Sequence, residues 1–361
     1  MSNPTSSFAF TTLVGPSGEV TQSLPPAPFD AGMAYLLGLC CGLSYTQFDT
    51  SISVPNFSSL SLLGSLTGYA VNASNFQPFT ASEANEPGAI PTDAGDYFQV
   101  PAGFGVELTL TPPPSSKDAT QNIIVIALRG TRTWDEWLND GEAFPVPFAG
   151  KAPFTSGLGS VHAGFYGHYT IGTNGATVPS GKELDPTLRE SKSIAGQVGS
   201  YVTTCAQNLP VYITGHSLGG ALATLAALDI ATNFKSTFSE LYMYSLASPR
   251  VAAGMAMGDV GLFALGNQEL FVSNYQKYVP NSYQIVHAAD IVPILPPLSA
   301  KVGPLTVNCA QVTDAYPPGS SSSLTGNVIN FCAQTGDLAG NHSCSTYLWY
   351  LEQLAGNFQP S

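Results

Sequence analysis

The stretch that most constrains the fold is residues 211–220, Val-Tyr-Ile-Thr-Gly-His-Ser-Leu-Gly-Gly, which an Ala/Leu-rich run continues to residue 231. A β-branched run, a Gly-His-Ser-Leu-Gly turn and a helix-forming run, in this order, are typical of a nucleophile elbow. Such a turn forces Ser217 into a strained backbone conformation, so the residues two positions to either side must be small. Gly215 and Gly219 meet that demand.

The residues after the turn suit a helix that lies close to a sheet. Gly220 and Ala221 keep its first turns thin, and leucines then form a core-facing stripe, Leu222, Leu225 and Leu228. The alternative interpretation is a Gly-rich turn with an incidental serine. Because a strand pattern and a helix pattern both flank the turn, we interpret Ser217 as a nucleophile.

A serine hydroxyl is a poor nucleophile until a histidine takes its proton, and a carboxylate must orient that histidine. After an elbow of this kind the partners follow in the order acid, then histidine. Of the five histidines, only His287 and His342 lie beyond Ser217. Asp290 follows shortly after a β-type run at 283–286. Catalytic acids lie at such positions because ligands bind at the carboxyl ends of the strands in an α/β sheet. If Asp290 is the acid, the base is His342; the alternatives are a capping Asp290 and a solvated His342.

The oxyanion formed in acyl transfer needs two hydrogen-bond donors. The backbone N–H of Leu218, the residue after the candidate nucleophile, is expected to be one donor. Thr131 follows an apolar strand pattern at 123–128, so we predict that its N–H and hydroxyl supply the other. The alternative is that Arg-Gly-Thr at 129–131 is an ordinary turn.

The segment after Thr131 holds two of the three tryptophans. Trp134, Trp137 and Leu138 fall on one helical face, with acidic residues elsewhere. The pattern fits an amphipathic helix packed on the core. It also fits a movable lid, about 133–145, whose apolar underside covers the site in water and faces lipid when open.

Strand and helix patterns alternate along the chain, which predicts an α/β fold with a mainly parallel sheet flanked by helices. Residues 98–111 and 123–128 are expected to form an antiparallel hairpin that leads into this sheet. Further elements are expected at 193–205, 241–246, 283–286 and 346–354.

The N-terminal part is less regular. Residues 1–28 are expected to form an extended arm, and an apolar run ending at Tyr45 predicts a buried helix with Asp30 as its N-cap. Residues 50–96 are expected to be irregular, with one short strand at 66–71. No repeat or linker divides the chain, so we predict a single domain over 1–361.

Charge excludes several classes of partner. The formal net charge is −13 and charged residues are only 10% of the chain, which argues against nucleic acid and against electrostatic docking to anionic membranes. No apolar run is long enough for a transmembrane segment. An acidic surface remains compatible with neutral lipids and other esters.

The cysteines and the N-terminus bear on the compartment. Residues 1–7 lack basic residues and an apolar run, so no signal peptide is visible, and the chain is either intracellular or a mature form with a new start methionine. Three of the six cysteines lie in loop-rich C-terminal sequence: Cys309, Cys332 and Cys344. A disulfide between two of them could close a hairpin. On that hint of an oxidising compartment we expect secretion. No cysteine–histidine spacing resembles a metal site, so we expect neither metal nor cofactor.

Together these motifs resemble the lipase class 3 family, the filamentous-fungal type of triacylglycerol lipase. The similarity covers roughly residues 30–355 and includes the helix ending at Tyr45. Its motifs are Ile-Ala-Leu-Arg-Gly-Thr at 126–131 with Trp137, Val-His-Ala-Gly-Phe at 161–165, Gly-His-Ser-Leu-Gly-Gly at 215–220, Ser-Pro-Arg-Val at 248–251, Asp-Ile-Val-Pro at 290–293, and His342.

This resemblance implies an α/β-hydrolase fold, a triad of Ser217, Asp290 and His342, oxyanion donors at Thr131 and Leu218, and a lid near 133–145. The chain departs from the compact fungal enzymes in longer insertions, around 50–96, 171–190 and 303–340. The acyl-binding groove is therefore expected to differ.

We expect a serine carboxylic-ester hydrolase, a lipase that acts on triacylglycerols or similar water-insoluble esters at an oil–water interface. An esterase or phospholipase with the same triad is the nearest alternative, followed by an acyltransferase that admits an alcohol instead of water. A non-catalytic binding protein on a hydrolase scaffold is the alternative from another class.

Overall fold

A computed structural model describes most of the chain. The described residues are 29–50, 55–84, 97–130, 145–148, 157–170, 193–257, 263–265, 267–302, 305–313, 327–332 and 337–356. The predicted N-terminal arm, Thr131 and nearly all of the predicted lid lie outside them. The single domain over 1–361 stays a prediction.

The helices and strands follow one another in an order that alternates through most of the chain. Among the described residues the α-helices are α1 (Ala31–Thr50), α2 (Ser61–Thr67), α3 (Ala163–Thr170), α4 (Ile194–Tyr201), α5 (Leu218–Asn233), α6 (Gln268–Tyr278), α7 (Leu338–His342) and α8 (Cys344–Gly356). The strands are β1 (Ala70–Ala84), β2 (Tyr97–Thr111), β3 (Gln121–Leu128), β4 (Pro145–Pro147), β5 (Ser160–His162), β6 (Val211–His216), β7 (Leu241–Leu246), β8 (Ala252–Met257), β9 (Phe263–Leu265), β10 (Ser282–His287), β11 (Ser299–Val302), β12 (Leu305–Ala310) and β13 (Val328–Phe331).

A seven-stranded sheet forms the centre, in the order β1-β2-β3-β6-β7-β10-β13. Its neighbouring strands β3, β6, β7, β10 and β13 pair in parallel, whereas β1 pairs antiparallel with β2 and β2 pairs antiparallel with β3. Helices flank this sheet, so the α/β-hydrolase fold and its mainly parallel sheet are confirmed. The predicted hairpin is the β2–β3 pair, in which Leu108 lies opposite Ile123.

Alternation along the central strands divides the core between the two faces of the sheet. In β3, Ile124 and Ile126 belong to the cluster that contains α4 and α5, while Ile123 and Val125 belong to the cluster that contains α1 and α8. Successive strand residues point to opposite faces, and helices cover both, so β3 is apolar at every buried position. Residues of α1 are buried nearly all round, as the sequence predicts.

A second sheet of six strands was not expected. Its order is β11-β12-β8-β5-β4, with β9 paired to β8, and all of its pairs are antiparallel. The strands are three to six residues long, and β8 is rich in alanine and glycine. Such short strands carry little of the period-two pattern by which a sequence indicates a sheet.

The expectation for residues 50–96 was wrong over most of its described length. Instead of one short strand at 66–71, a 3₁₀ turn (Phe57–Leu60) leads into α2, and β1 runs for 15 residues. Register shifts between Ser74 and Gln77 and between Phe79 and Thr80 interrupt the alternation of β1. These irregularities explain why its polar sequence resembles a loop.

The cysteines form no disulfide. All six lie among the described residues and are free thiols, so a bridge among Cys309, Cys332 and Cys344 is wrong. Burial raises the pKa of Cys309 to about 11, which keeps that thiol protonated. Within the described residues no helix combines the length and the apolar character needed to cross a bilayer.

His162 is a buried histidine at the end of β5. Its ring stacks on Phe165 with 4.4 Å between the ring centroids, and Nδ1 has no hydrogen-bond partner among the described residues. Burial, and secondarily the charge of His168, lowers the pKa of His162 to about 4. The folded chain therefore holds this ring neutral at a pH where an exposed histidine binds a proton.

We expect this group to make stability depend on pH. Between the folded pKa of about 4 and the unfolded value near 6.5, the unfolded chain binds the proton more readily, so stability falls as the pH falls. His162→Phe removes this contribution, which is about 1.4 kcal/mol per pH unit within that window. Urea unfolding of wild type and variant at about pH 7 and about pH 4.5 measures it. Equal losses of stability in the two proteins on acidification would contradict the assignment.

Candidate active site

Ser217 occupies the tip of a strand-to-helix turn. Strand β6 ends at His216, α5 begins at Leu218, and Ser217 between them has φ 60° and ψ −130°. A positive φ is strained for a residue with a side chain, and such strain is characteristic of a nucleophile elbow. The elbow that the sequence predicts is therefore formed.

Two glycines make the turn sterically possible. A Cβ on Gly215 would overlap the carbonyl oxygen of Gly219, and a Cβ on Gly219 would overlap the carbonyl oxygen of Leu128 at the end of β3. Both obstacles are backbone atoms, so no rotamer change can relieve them. These contacts hold the start of α5 directly against the carboxyl end of β3.

The three predicted triad residues lie together. His342 Nε2 is 2.8 Å from Ser217 Oγ, and His342 Nδ1 is 2.8 Å from Asp290 Oδ2. All three residues are buried. Because a carboxylate only accepts, Nδ1 carries the proton toward Asp290, and Nε2 is left to accept the proton of the serine hydroxyl.

Asp290 follows β10 and is held by three donors. Its Oδ1 accepts the backbone N–H of Val292 at 2.9 Å, and its Oδ2 accepts the hydroxyl of Tyr347 at 2.7 Å in addition to His342. The oxygen of Tyr347 in turn accepts the N–H of His287 at 3.0 Å. These donors compensate the buried carboxylate for the water it has lost.

Sequence reasoning missed Tyr347. It lies in α8, 57 residues from Asp290, and no local pattern distinguishes it from a core tyrosine. Burial, and secondarily the charge of Asp290, raises the pKa of Tyr347 well above its ordinary value. The hydroxyl therefore stays protonated and donates to Asp290.

His342 is the last residue of the short helix α7. Asp337 caps the N-terminus of α7 by accepting the N–H of Gly340 at 2.5 Å. Thr346 at the start of α8 donates to the carbonyl of Gly340 at 2.6 Å. The histidine is thus carried by a capped turn that is tied to the next helix.

The role of Leu218 as an oxyanion donor stays a prediction. Leu218 is the first residue of α5, where backbone N–H groups point out of the helix without partners inside it. The other predicted donor, Thr131, lies outside the described residues. Gly130, directly before it, lies so close to the elbow that a Cβ there would meet the carbonyl oxygen of His216 and, at 3.1 Å, Cβ of Ser217. The β3 loop therefore reaches the elbow.

The predicted lid residues Trp134, Trp137 and Leu138 lie outside the described residues. Within the described part of the chain, no cluster of three or more histidine, cysteine, aspartate or glutamate side chains is arranged to hold a metal ion. The chemistry that the described site can perform is activation of the Ser217 hydroxyl by a histidine that a buried carboxylate orients.

Comparison with known proteins gives a family and several relatives. Residues 125–300 match the family model described as Lipase (class 3). Phospholipase A1-II 7 of Oryza sativa subsp. indica is 31% identical over 188 residues, 48% of this chain and 41% of that protein. Triacylglycerol lipase OBL1 of Arabidopsis thaliana is 29% identical over 195 residues, 50% of this chain and 36% of that protein. The match thus spans less than half the length of each of these relatives.

Solved lipase structures also match. A triacylglycerol lipase from Penicillium expansum has a TM-score of 0.42 at 16% identity, with 88% of this chain and 91% of that chain covered.

Gly215 provides a test of the elbow geometry. We expect Gly215→Ala to lower the free energy of unfolding by about 3 kcal/mol or more, because the added methyl overlaps the backbone. Gly356→Ala is the matched control, since its Cβ would lie 3.6 Å from Leu66, an ordinary contact, and we expect a change within about 0.5 kcal/mol. Denaturant unfolding measures both. Similar values for the two variants would show that the elbow tolerates a side chain at Gly215.

Proposed function

From the match of residues 125–300 to the family model described as Lipase (class 3), we propose that the chain is a serine carboxylic-ester hydrolase of this family that acts on lipid esters. The observation that carries the proposal is the continuous hydrogen-bonded path from Asp290 through His342 to Ser217. That path ends at the tip of a strained elbow, where a hydroxyl is presented to a substrate.

In the proposed reaction Ser217 Oγ attacks the ester carbonyl while His342 Nε2 takes its proton, and Asp290 stabilises the imidazolium that forms. The tetrahedral oxyanion accepts hydrogen bonds from the N–H of Leu218 and from Thr131. His342 then returns the proton to the departing alcohol and leaves an acyl-enzyme on Ser217. Water, deprotonated by the same histidine, releases the fatty acid.

The substrate that we propose first is a triacylglycerol, taken from an oil–water interface beneath a lid at 133–145. The two tryptophans and Leu138 of that segment support the proposal by their shared helical face. A phospholipid is the second candidate, because the rice relative is named a phospholipase A1. Secretion stays a prediction.

Substitution of the triad tests the reaction. We expect Ser217→Ala to abolish labelling by a fluorophosphonate and to lower the turnover of a short soluble ester by several orders of magnitude. Asp290→Asn should lower kcat on the order of 10⁴-fold, because the histidine loses its tautomer. Ser282→Ala, which alters a buried serine hydrogen-bonded to Tyr275, is the control and should retain wild-type turnover. The proposal fails if Ser217→Ala still hydrolyses the ester.

The substrate and the lid can be tested together. We expect emulsified medium-chain triacylglycerol to be hydrolysed faster than the sn-1 ester of phosphatidylcholine, with a jump in rate as the triacylglycerol passes its solubility limit. At the interface the apolar face of the lid can leave the protein and bury itself in lipid instead. Opening then costs little free energy, because removal of apolar surface from water stabilises by roughly 25 cal/mol per Å² whether the surface is covered by protein or by lipid. Trp134→Ser with Trp137→Ser should weaken the jump and spare the soluble ester. Faster hydrolysis of the phospholipid would favour the second candidate, and a smooth curve unchanged by the double variant would exclude the lid.

A further inference from the structure

His216, the residue directly before Ser217, contacts the candidate base His342 at its backbone carbonyl and at its ring. Its Nε2 lies 2.8 Å from the backbone carbonyl oxygen of His342, and its ring lies 4.9 Å from the His342 ring, centroid to centroid. The side chain is buried. The two residues are 126 positions apart in sequence, so the contact joins the elbow to the turn that carries the base.

The partners of His216 fix its tautomer. A carbonyl oxygen only accepts, so Nε2 of His216 carries a proton and donates to His342. Nδ1 then accepts, and the Tyr45 hydroxyl, 2.9 Å away, is its donor. Burial, and secondarily the charge of His342, holds the pKa of His216 well below its ordinary value, so the ring stays neutral.

Tyr45 extends the connection to the loop after β3. Its O–H donates to His216, and its oxygen packs against Gly130, where an added Cβ would overlap it. Gly130 precedes Thr131, the predicted oxyanion donor. Burial, and secondarily nearby Cys344 and Cys41, raises the pKa of Tyr45 well above its ordinary value, so the hydroxyl keeps the proton that the connection needs.

We propose that Tyr45 and His216 are positioning residues: two consecutive hydrogen bonds hold the backbone of His342, and the Tyr45 hydroxyl packs this pair against Gly130 in the loop after β3. The hydrogen bonds run from the Tyr45 hydroxyl to His216 Nδ1 and from His216 Nε2–H to the His342 carbonyl. This inference rests on the proposed function, since it assigns a role in placing the base of that reaction.

The backbone of His342 has a special need for this support. Its carbonyl lies at the C-terminus of α7, where carbonyl groups lack partners within the helix. A helix of five residues has little cooperative stability of its own. The donor from His216 therefore fixes the end of the turn from which the imidazole of His342 reaches Ser217.

Three variants test the role. Tyr45→Phe removes only the hydroxyl, and we expect kcat for a soluble ester to fall about 10-fold with KM unchanged, since the base is slightly displaced. His216→Leu removes both hydrogen bonds and should lower kcat about 100-fold. His216→Gln restores an N–H donor at the position of Nε2 and should recover most of that loss.

The matched control is Tyr275→Phe. Tyr275 is fully buried, and its hydroxyl bonds Ser282 at 3.0 Å in the core on the opposite face of the central sheet. We expect Tyr275→Phe to lower Tm as much as Tyr45→Phe does while leaving kcat unchanged. A purely structural role for Tyr45 would make the two variants alike in both quantities.

A second measurement does not depend on turnover. In ¹⁵N-labelled wild-type protein, the His216 ring, assigned by its loss in His216→Gln, should show a protonated Nε2 and an unprotonated Nδ1. If His216→Leu fails to fold, Tyr45→Phe and this spectrum still decide the matter. Wild-type kcat in Tyr45→Phe, or a protonated Nδ1 in the wild type, would overturn the inference. Failure of wild type itself to react with a fluorophosphonate would instead overturn the proposed function.

Discussion

The backbone conformation of Ser217 is the constraint on which the rest of the site depends. A residue with φ 60° between β6 and α5 fits only if the residues two positions to either side of it carry no side chain. Gly215 and Gly219 supply that space, and Gly219 lies against the carbonyl of Leu128, so the elbow and the loop after β3 are one packed unit. The close packing around these two glycines therefore places Ser217, the amide of Leu218 and the start of the loop after β3 next to one another.

Much of this arrangement could be predicted because it is local. The strand, the glycines and the leucine stripe that define the elbow lie within about 20 consecutive residues. The acid and the base are distant in sequence, but parallel strands bring their carboxyl ends to one edge of a sheet, so the residues that follow β6 and β10 must meet there. Order along the chain and a shortage of histidines then left Asp290 and His342 as the partners of Ser217.

The rest could not be predicted, because it depends on contacts that leave no pattern in the sequence. Tyr45 and Tyr347 sit in apolar helices among other aromatic residues, and only the fold shows which hydroxyls reach a polar partner. Strand β1 was missed because its polar composition and two register shifts hide its alternation. The second sheet was missed because its short strands gain their stability from pairing with distant segments, and local propensity does not record such pairing.

The two tyrosines also show how a nearly uncharged site holds one charge. The Asp290 carboxylate is buried, and it is tolerated because His342, Tyr347 and Val292 each donate to it. On the other side of His342 the groups are neutral, since Tyr45 keeps its proton and His216 binds only one. A positive charge on His216 would repel the imidazolium that forms during the reaction, and a negative charge on Tyr45 would compete with Asp290 for it. Tyr347 thus acts on the charge of the acid, whereas Tyr45 and His216 act on the position of the base and leave its electrostatics to Asp290.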